Sequence, residues 1–319
     1  MPRAELVADA VAGTDAGTGA GGVGADVEAP ASPGVFCFDA IGVPWRIDTD
    51  APFGDAARDA VLERIRVFDA AWSRFRDDSL VAEIARSAGE RRLPAEGPAL
   101  FALYRTLYEA TDGRVSPFVG SALERLGYGR GLGGAATGSR THAAVPDWDS
   151  VARLDGDVLS TSAPVLVDVG AAGKGLLVDL VLEVLATHGL HDATVDASGD
   201  LRVSGRRSER VALEHPFDAR RAIGVVEVSD GALCASATNR RAWGDGLHHV
   251  IDGRTGRPVD SVVATWALAP TGAVADAAAT ALFFVSPAEV RAATGAVGVR
   301  MFSTGRSERH RDFPGELFS

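Results

Sequence analysis

The sequence predicts an α+β fold. Segments with the apolar, β-branched composition of strands outnumber segments with helical periodicity along the 319 residues. The strand-like segments also follow one another in runs, whereas a doubly wound parallel sheet requires strands and helices to alternate. Hydrophobic residues make up 46% of the chain, which suffices for a substantial core.

The first 33 residues differ in composition from the rest. Residues 1–33 are rich in Ala, Gly and Asp, and we expect a disordered tail because they hold too little apolar surface to offset the entropy of ordering. Residues 34–319 are expected to form one domain. The sequence shows no apolar signal segment, no lipid-attachment cysteine and no run of about 18 apolar residues. We therefore expect a cytoplasmic protein that does not bind a membrane.

The first half of the domain contains clear helical patterns. Apolar residues recur at helical spacing from Val61 to Phe75, and Asp78 or Ser79 can cap the helix that follows. Residues 129–142 are rich in Gly, Thr and Ala and predict a flexible loop. The predicted elements here are strands at 35–38 and 44–47 and helices at 55–75 and 98–111.

The second half is richer in strands. A strongly apolar helix is predicted to end at Gly189, a residue suited to the position after a helix. The predicted elements are strands at 165–169, 194–197, 201–204, 223–228, 233–236, 248–252 and 262–268 and helices at 176–188 and 274–285.

Charge and cysteine content limit the classes of function. The net charge of −11 argues against nonspecific nucleic-acid binding, which needs a basic face. Cys37 and Cys234 are not spaced as a C-x-x-C motif, which argues against a zinc or redox site. Two buried free thiols fit the sequence, and so does one disulfide.

Lys174 is the only lysine in a chain that has 31 arginines. It lies in the glycine-rich stretch DVGAAGKG at 168–175, where a backbone can approach a ligand closely. A site that needs a compact ammonium group cannot accept the planar guanidinium of arginine. Lys174 is therefore a candidate phosphate contact, although one lysine could also have persisted by chance at a helix N-terminus.

Two acidic turns flank this glycine-rich stretch in the chain. Asp168 ends the predicted apolar strand and either binds a polar ligand group or caps the turn. Asp200 lies in a Gly/Asp turn between two strands, and we expect it to pair with Arg202 in a structural role.

Two adjacent histidines precede a short apolar run. His248 and His249 must face opposite sides of a strand, so only one of them can point into a given site. A histidine whose pKa is near neutrality can act as a general base. A hydrogen-bonded structural histidine is the alternative.

Asp276 and Thr280 are four residues apart in an alanine-rich helix. This spacing places both oxygens on one helix face. A carboxylate, a hydroxyl and a nearby carbonyl form a hard oxygen site suited to Mg²⁺. Alternatively, the Thr280 hydroxyl bonds to a carbonyl of its own helix.

Six stretches of the chain, taken together, resemble the FAD:protein FMN transferases, the ApbE-type flavin transferase family. DVGAAGKG resembles the family's DLGGIAKG, and HVIDGRTGRP at 249–258 resembles its HIIDPRTGxP. The stretches follow the family's order across roughly residues 36–290. They lie at 72–79, 111–120, 168–175, 196–205, 249–258 and 269–280.

The resemblance implies a fold and an activity. It implies a single flavin transferase domain of mixed sheets with packed helices, which binds FAD and Mg²⁺. Such an enzyme transfers FMN from FAD to a Thr or Ser of an acceptor protein and releases AMP. The expected acceptor bears an Asp-x-x-Ser/Thr-Gly-Ala-Ser/Thr-like segment. A Mg²⁺-dependent FAD pyrophosphatase and a noncatalytic FAD-binding protein remain as alternatives.

The resemblance also implies a role for individual residues. Independently of the resemblance, His249 is our candidate for taking the proton from the acceptor hydroxyl, and Asp252 is the second candidate. Asp276 and Thr280 would hold the metal together with the Ala171 carbonyl. The residues expected to contact FAD are Phe75, Arg114, Val115, Ser116, Asp168, Lys174 and Ile251.

The chain departs from the family pattern at two positions close to these residues. Ser116 stands where the family usually has Asp, which removes a carboxylate from the expected ligand site. Gly253 replaces a Pro, and we expect the turn at that position to be looser. The metal pair and Lys174 are intact, so activity is still expected.

Overall fold

A computed structural model describes residues 33–129, 144–239, 242–243 and 247–318. All of them belong to one unit of the chain, Ser32–Ser319. The predicted tail (1–33) and loop (129–142) lie outside the described residues, except for Pro33 and Gly129.

The strands are numbered in chain order. They are β1 Gly34–Ala40, β2 Val43–Thr49, β3 Gly89–Arg92, β4 Ala152–Asp155, β5 Val158–Thr161, β6 Ala193–Asp196, β7 Asp200–His215, β8 Asp218–Ala237, β9 Ala242–Trp243, β10 Leu247–His248, β11 Ile251–Asp252, β12 Arg257–Pro258, β13 Val262–Ala269, β14 Val297–Phe302, β15 Ser307–Arg309 and β16 Glu316–Leu317.

The helices are numbered in the same way. They are α1 Asp55–Trp72, α2 Leu80–Arg86, α3 Gly97–Ala110, α4 Gly120–Arg125, α5 Trp148–Val151, α6 Gly173–Thr187, α7 Gly272–Ala281 and α8 Pro287–Thr294. Together with the strands, they confirm the α+β class.

One large sheet organises the domain. Its strand order is β1-β2-β6-β7-β8-β13-β14-β15, and β16 pairs with β8. Every strand pair formed by the described residues is antiparallel. Short connections such as the one between β7 and β8 produce this arrangement, because antiparallel neighbours need no long crossover.

The two faces of the sheet pack against different cores. Along β8, Ala232 and Cys234 belong to the core that contains the helices, whereas Leu233 belongs to a second core. Along β13, Ala267 belongs to the core that contains the helices, and Trp266 belongs to the second core. This follows from strand geometry, since successive side chains point to opposite faces.

Helices α6 and α7 touch each other through glycine. A Cβ added to Gly175 would lie 2.1 Å from the Gly272 carbonyl oxygen, and one added to Gly272 would lie 2.4 Å from the Gly175 oxygen. Five of the six alanines of α7 are buried almost completely, which lets the helix lie close to both α6 and the sheet. The close packing of α6 against α7 therefore requires small residues in this region.

The strand predicted at 165–169 is wrong. The segment is buried but forms no ladder, because its N–H groups bond to different neighbours. Val165 donates to the Ile84 carbonyl at 3.3 Å, and Asp168 donates to the Pro117 carbonyl at 2.7 Å. The segment thus lies between α2 and the turn that follows α3 and hydrogen-bonds to both.

Other predicted boundaries also differ from the structure. The strand expected at 248–252 is divided into β10 and β11, and α7 ends four residues before the predicted 285. Segments 201–204 and 223–236 belong to the long strands β7 and β8, whose outer halves are too polar to be recognised from apolar content. Helix α6 begins three residues before the predicted start, inside the glycine-rich stretch.

Both cysteines are free thiols, so the disulfide alternative does not hold. Cys234 is buried as expected, but Cys37 is exposed because its position on β1 points away from the core. Burial raises the pKa of the Cys234 thiol well above its usual range.

Among the helices of the described residues, none has the length and apolar character needed to cross a membrane.

We predict that Gly175→Ala destabilises the domain by about 3 kcal/mol or more, because the new methyl group would overlap a backbone oxygen that cannot rotate away. Urea unfolding would measure the effect. Gly54→Ala is the control, since a Cβ there meets nothing within 4 Å. Gly54 is the N-cap of α1, where alanine is less favourable than glycine, so a loss of no more than about 1 kcal/mol is expected. Equal stability of the two variants would contradict the close helix contact.

Candidate functional site

A cleft with a volume of about 80 Å³ lies where several loops meet α7. It combines apolar walls with a few polar groups, as small-molecule sites usually do. Its lining residues are Tyr104, Arg114, Val115, Ser116, Val119, Tyr128, Asp168, Gly170, Ala171, Ser236, His249, Val250, Ile251, Thr280 and Phe284.

Asp168 lines the cleft and is held by a buried arginine. Its Oδ2 lies 2.6 Å from Nε of Arg74, whose side chain is only 3% exposed. Arg74 also donates from Nη1 to the Tyr128 carbonyl at 2.8 Å. Asp168 Oδ1 accepts the Gly170 N–H at 2.7 Å. The carboxylate therefore both caps the glycine turn and faces the cleft.

The turn at 168–171 is also fixed from α3. The Tyr104 hydroxyl accepts the Ala171 N–H at 3.0 Å and donates to the Asp168 carbonyl at 3.4 Å. Burial raises the pKa of Tyr104 well above its usual range, and the nearby Asp168 charge adds to this effect, so the hydroxyl remains neutral.

Two of the three expected metal donors, Ala171 and Thr280, line the cleft, whereas Asp276 is not among the lining residues. Thr280 Oγ1 lies 3.4 Å from the Ala171 carbonyl oxygen, and Asp276 is one helical turn before Thr280. Asp276 is 4% exposed, and its Oδ2 accepts the Gly175 N–H at 3.0 Å. One carboxylate with two neutral oxygens fits Mg²⁺, which binds through few protein ligands and keeps water or phosphate in its shell.

No group of three or more His, Cys, Asp or Glu side chains in the described residues could hold a metal ion. The candidate donor set therefore depends on the hydroxyl and the carbonyl as much as on the carboxylate.

Lys174 is not among the residues that line the cleft, and it forms an ion pair with the buried Asp200 carboxylate. Its Nζ lies 2.9 Å from Asp200 Oδ2 and donates to the Ala197 carbonyl at 2.8 Å. Burial alone would lower the pKa of Lys174, but the charges of Asp200 and Asp276 outweigh it and the pKa is raised. Lys174 is therefore a fixed cation beside the metal donors.

The predicted pair between Asp200 and Arg202 is wrong. Arg202 instead contacts Asp179 of α6 at 2.5 Å, while Asp200 pairs with Lys174. The physical reason is that α6 lies across β7, so that two residues on one strand face meet two different residues of the helix.

The two histidines have different surroundings. His249 lines the cleft together with Ile251. His248 is buried, and its Nε2 lies 2.7 Å from the Val259 carbonyl oxygen. Burial lowers the pKa of His248. Asp252 does not line the cleft, and its Oδ1 accepts the Arg254 N–H at 2.7 Å to form a turn.

The turn after α3 forms another wall of the cleft. Arg114 donates from Nη1 to the Phe284 carbonyl at 3.1 Å, and its own carbonyl accepts the Gly253 N–H at 2.8 Å. A Cβ at Gly253 would lie 2.7 Å from the Gly113 carbonyl oxygen, so the turn expected to be loose is closely packed.

Phe75 lies outside the cleft lining and is 44% exposed. Its ring meets Tyr128 edge to face at 5.8 Å, and Tyr128 lines the cleft. The Arg74 guanidinium lies 4.3 Å from the Phe75 ring centre. The expected contact of Phe75 with FAD would therefore be made at the rim of the cleft.

Sequence reasoning did not assign site roles to Arg74, Tyr104, Ser236 or Asp179. Arg74 lies in the family-like stretch at 72–79, and this is the feature of the sequence that could have indicated a site role for it. The others lie within apolar or small-residue segments, where nothing local separates a site residue from a core residue.

We predict that Arg74→Met destabilises the fold by about 3–5 kcal/mol, because it leaves the largely buried Asp168 carboxylate without its cation. Chemical denaturation would measure the loss. Arg206→Met removes the partner of another 2.6 Å pair, Arg206 with Asp192, but Arg206 is 86% exposed. That variant should unfold close to wild type, since water screens exposed pairs. Similar losses in both variants would argue against a special role for burial at Asp168.

Comparison with known proteins identifies related chains. The FAD:protein FMN transferase of Rhodobacter capsulatus is 33% identical over 190 residues, which are 56% of this chain and 36% of that protein. The Treponema pallidum protein of the same name is 28% identical over 72% of this chain and 71% of its own length. For the Vibrio cholerae relative, the match spans 42% of that protein at 33% identity. This chain thus aligns with less than half of the Rhodobacter and Vibrio proteins.

Solved structures share the fold. The flavin transferase ApbE from Vibrio cholerae superposes with a TM-score of 0.74 at 21% identity, covering 89% of this chain and 99% of that one. The Pseudomonas stutzeri flavinyl transferase ApbE gives a TM-score of 0.73 at 20% identity, covering 91% and 99%. The sequence model of the ApbE family matches residues 41–301, which is most of the chain. The protein therefore belongs to the ApbE family.

Proposed function

We propose that this protein is a Mg²⁺-dependent FAD:protein FMN transferase. The observation that carries the proposal is the convergence of His249 and the Ala171–Thr280 oxygen pair on one cleft. A general base and a hard-cation site on the same cleft suit attack by a hydroxyl on a pyrophosphate. The names of the relatives agree with this chemistry.

Asp276, Thr280 and the Ala171 carbonyl would hold the metal ion. When bound, Mg²⁺ neutralises charge on the pyrophosphate oxygens during the transfer. The buried Asp276 carboxylate supplies the negative charge for binding the ion, and its bond from the Gly175 N–H fixes its orientation.

His249 would accept the proton of the acceptor hydroxyl. The acceptor oxygen then forms a bond to the phosphorus of the FMN half, and the bond from that phosphorus to the bridging oxygen breaks. AMP leaves with the bridging oxygen, so atoms and charge balance. Asp252 remains the second candidate for the base, although its carboxylate is engaged in a turn.

The remaining predicted residues would bind FAD. Lys174 supplies a fixed positive charge near the metal donors, since the carboxylates around it keep its pKa raised. The other expected contacts are the cleft residues Arg114, Val115, Ser116, Asp168 and Ile251, with Phe75 at the rim.

The acceptor is proposed to be a protein with an Asp-x-x-Ser/Thr-Gly-Ala-Ser/Thr-like segment. Incubation with FAD, Mg²⁺ and a domain bearing that segment should add one FMN mass to the acceptor. AMP and free FMN without labelling would indicate a pyrophosphatase instead. Intact FAD that still binds to the protein would indicate a noncatalytic flavin-binding protein.

We predict that Asp276→Asn lowers transfer by about 100-fold or more, because a metal site worth several kcal/mol loses its carboxylate. EDTA should abolish wild-type transfer, and excess Mg²⁺ should restore it. Mass spectrometry of the acceptor measures both effects. Asp149→Asn is the control, since Asp149 is an exposed residue of α5 that pairs with Arg105. Full activity in EDTA would refute the metal requirement.

We predict that His249→Ala lowers the transfer rate by about 10²–10⁴-fold, the usual contribution of a positioned base, and leaves FAD affinity unchanged. Single-turnover acceptor labelling gives the rate, and FAD fluorescence titration gives the affinity. His215→Ala, at the end of β7 and outside the cleft lining, should behave as wild type. A wild-type rate in His249→Ala would show that His249 is not the base and would leave Asp252 as the remaining candidate.

A further inference from the structure

Tyr104 is a buried side chain to which the proposed chemistry gives no role. It belongs to α3, is 1% exposed, and its polar end reaches the cleft. The same core contains Phe101 and Phe118, which carry no polar atom. A buried hydroxyl is unfavourable unless it is hydrogen-bonded, so its partners indicate its purpose.

Both partners are backbone groups of the turn at 168–171. The Tyr104 hydroxyl accepts the Ala171 N–H at 3.0 Å and donates to the Asp168 carbonyl at 3.4 Å. It therefore fixes the peptide group that precedes Ala171 relative to α3, an element outside the turn.

The peptide group after Ala171 is fixed separately. The Ala172 N–H donates to the Val169 carbonyl at 3.2 Å. Because the C=O and N–H of a trans peptide point in opposite directions, the Ala171 oxygen is turned away from Val169. It lies 3.4 Å from Thr280 Oγ1, on the side of α7. Two hydrogen bonds, one on each flanking peptide, thus set the direction of this oxygen.

We propose that Tyr104 is a positioning residue, whose hydroxyl holds the Ala171 carbonyl in the direction that a metal ligand requires. The proposal rests on the proposed function, in which Ala171 is a metal donor. Hydrogen-bond partners behind metal ligands typically change metal affinity by about 10- to 100-fold when they are removed.

Tyr104→Phe tests the proposal, because it keeps the ring in the cleft wall and removes only the hydroxyl. Titration of the full-length protein with Mn²⁺, followed by electron paramagnetic resonance, should show binding weaker by about 10- to 100-fold. Tyr108→Phe is the matched control on α3, since that hydroxyl donates to Asp147 at 2.8 Å and not to the turn. It should retain wild-type Mn²⁺ affinity, and FAD affinity without metal should be unchanged in both variants.

Other results would separate a failure of the positioning role from a failure of the proposed metal site. Wild-type Mn²⁺ affinity in folded Tyr104→Phe protein would overturn the positioning role and leave the proposed function standing. Loss of metal-free FAD affinity would also overturn it, since Tyr104 would then be a substrate contact. If the wild-type protein bound Mn²⁺ no better than Asp276→Asn, the proposed metal site and this inference would both fail. A purely structural role would lower the unfolding temperature without changing Mn²⁺ affinity.

Discussion

The backbone contact between α6 and α7 is the constraint on which the candidate site depends. Neither Gly175 nor Gly272 has room for a Cβ, so the helices approach more closely than side chains would allow. At this distance each helix bonds to the first turn of the other. Asp276 of α7 accepts the Gly175 N–H, and Asp179 of α6 accepts the first two N–H groups of α7. These bonds satisfy groups that a helix N-terminus otherwise leaves unpaired. They also fix the rotation of α7, and with it the direction in which Thr280 faces.

The buried ion pairs around the cleft serve geometry more than stability. Removing two charges from water is expensive, so a buried pair is weak evidence of net stabilisation. Lys174 is joined to Asp200 of β7, and Asp168 is joined to Arg74 in the segment after α1. The Asp168 pair joins the glycine-rich turn to the segment after α1, and the Lys174 pair joins the start of α6 to β7. The turn is thus held from two sides, and its backbone can present a carbonyl to a ligand without first being ordered.

The features that could be predicted from the sequence are local ones. The periodicity of α1, the Ser79 side chain that accepts the Ala82 N–H and the left-handed Gly189 after α6 all follow from nearby residues. The motif resemblance pointed to several residues that line the cleft, such as Ser116, Ala171 and Ile251, because family motifs reflect long-range contacts. It also pointed to Lys174 and Asp276, which do not line the cleft. What could not be predicted depends on which distant element packs where. Segment 165–169 has the composition of a strand but pairs with no strand in the described part of the chain. The partner of Lys174 depends in the same way on how α6 crosses β7.

Ser116 illustrates how a departure from a family pattern can preserve shape and change charge. Its Oγ accepts the Phe118 N–H at 3.2 Å, a turn-forming bond that an aspartate side chain also makes. The residue is 4% exposed and lines the cleft, so the turn keeps its form while the cleft wall loses a carboxylate. Arg114, two residues earlier, donates to the Phe284 carbonyl and has no carboxylate within ion-pair distance among the described residues. This edge of the cleft is therefore more positive than it would be with aspartate at 116. Since the substrate proposed for the cleft carries a pyrophosphate, we expect the change to affect ligand affinity and to leave the fold as it is.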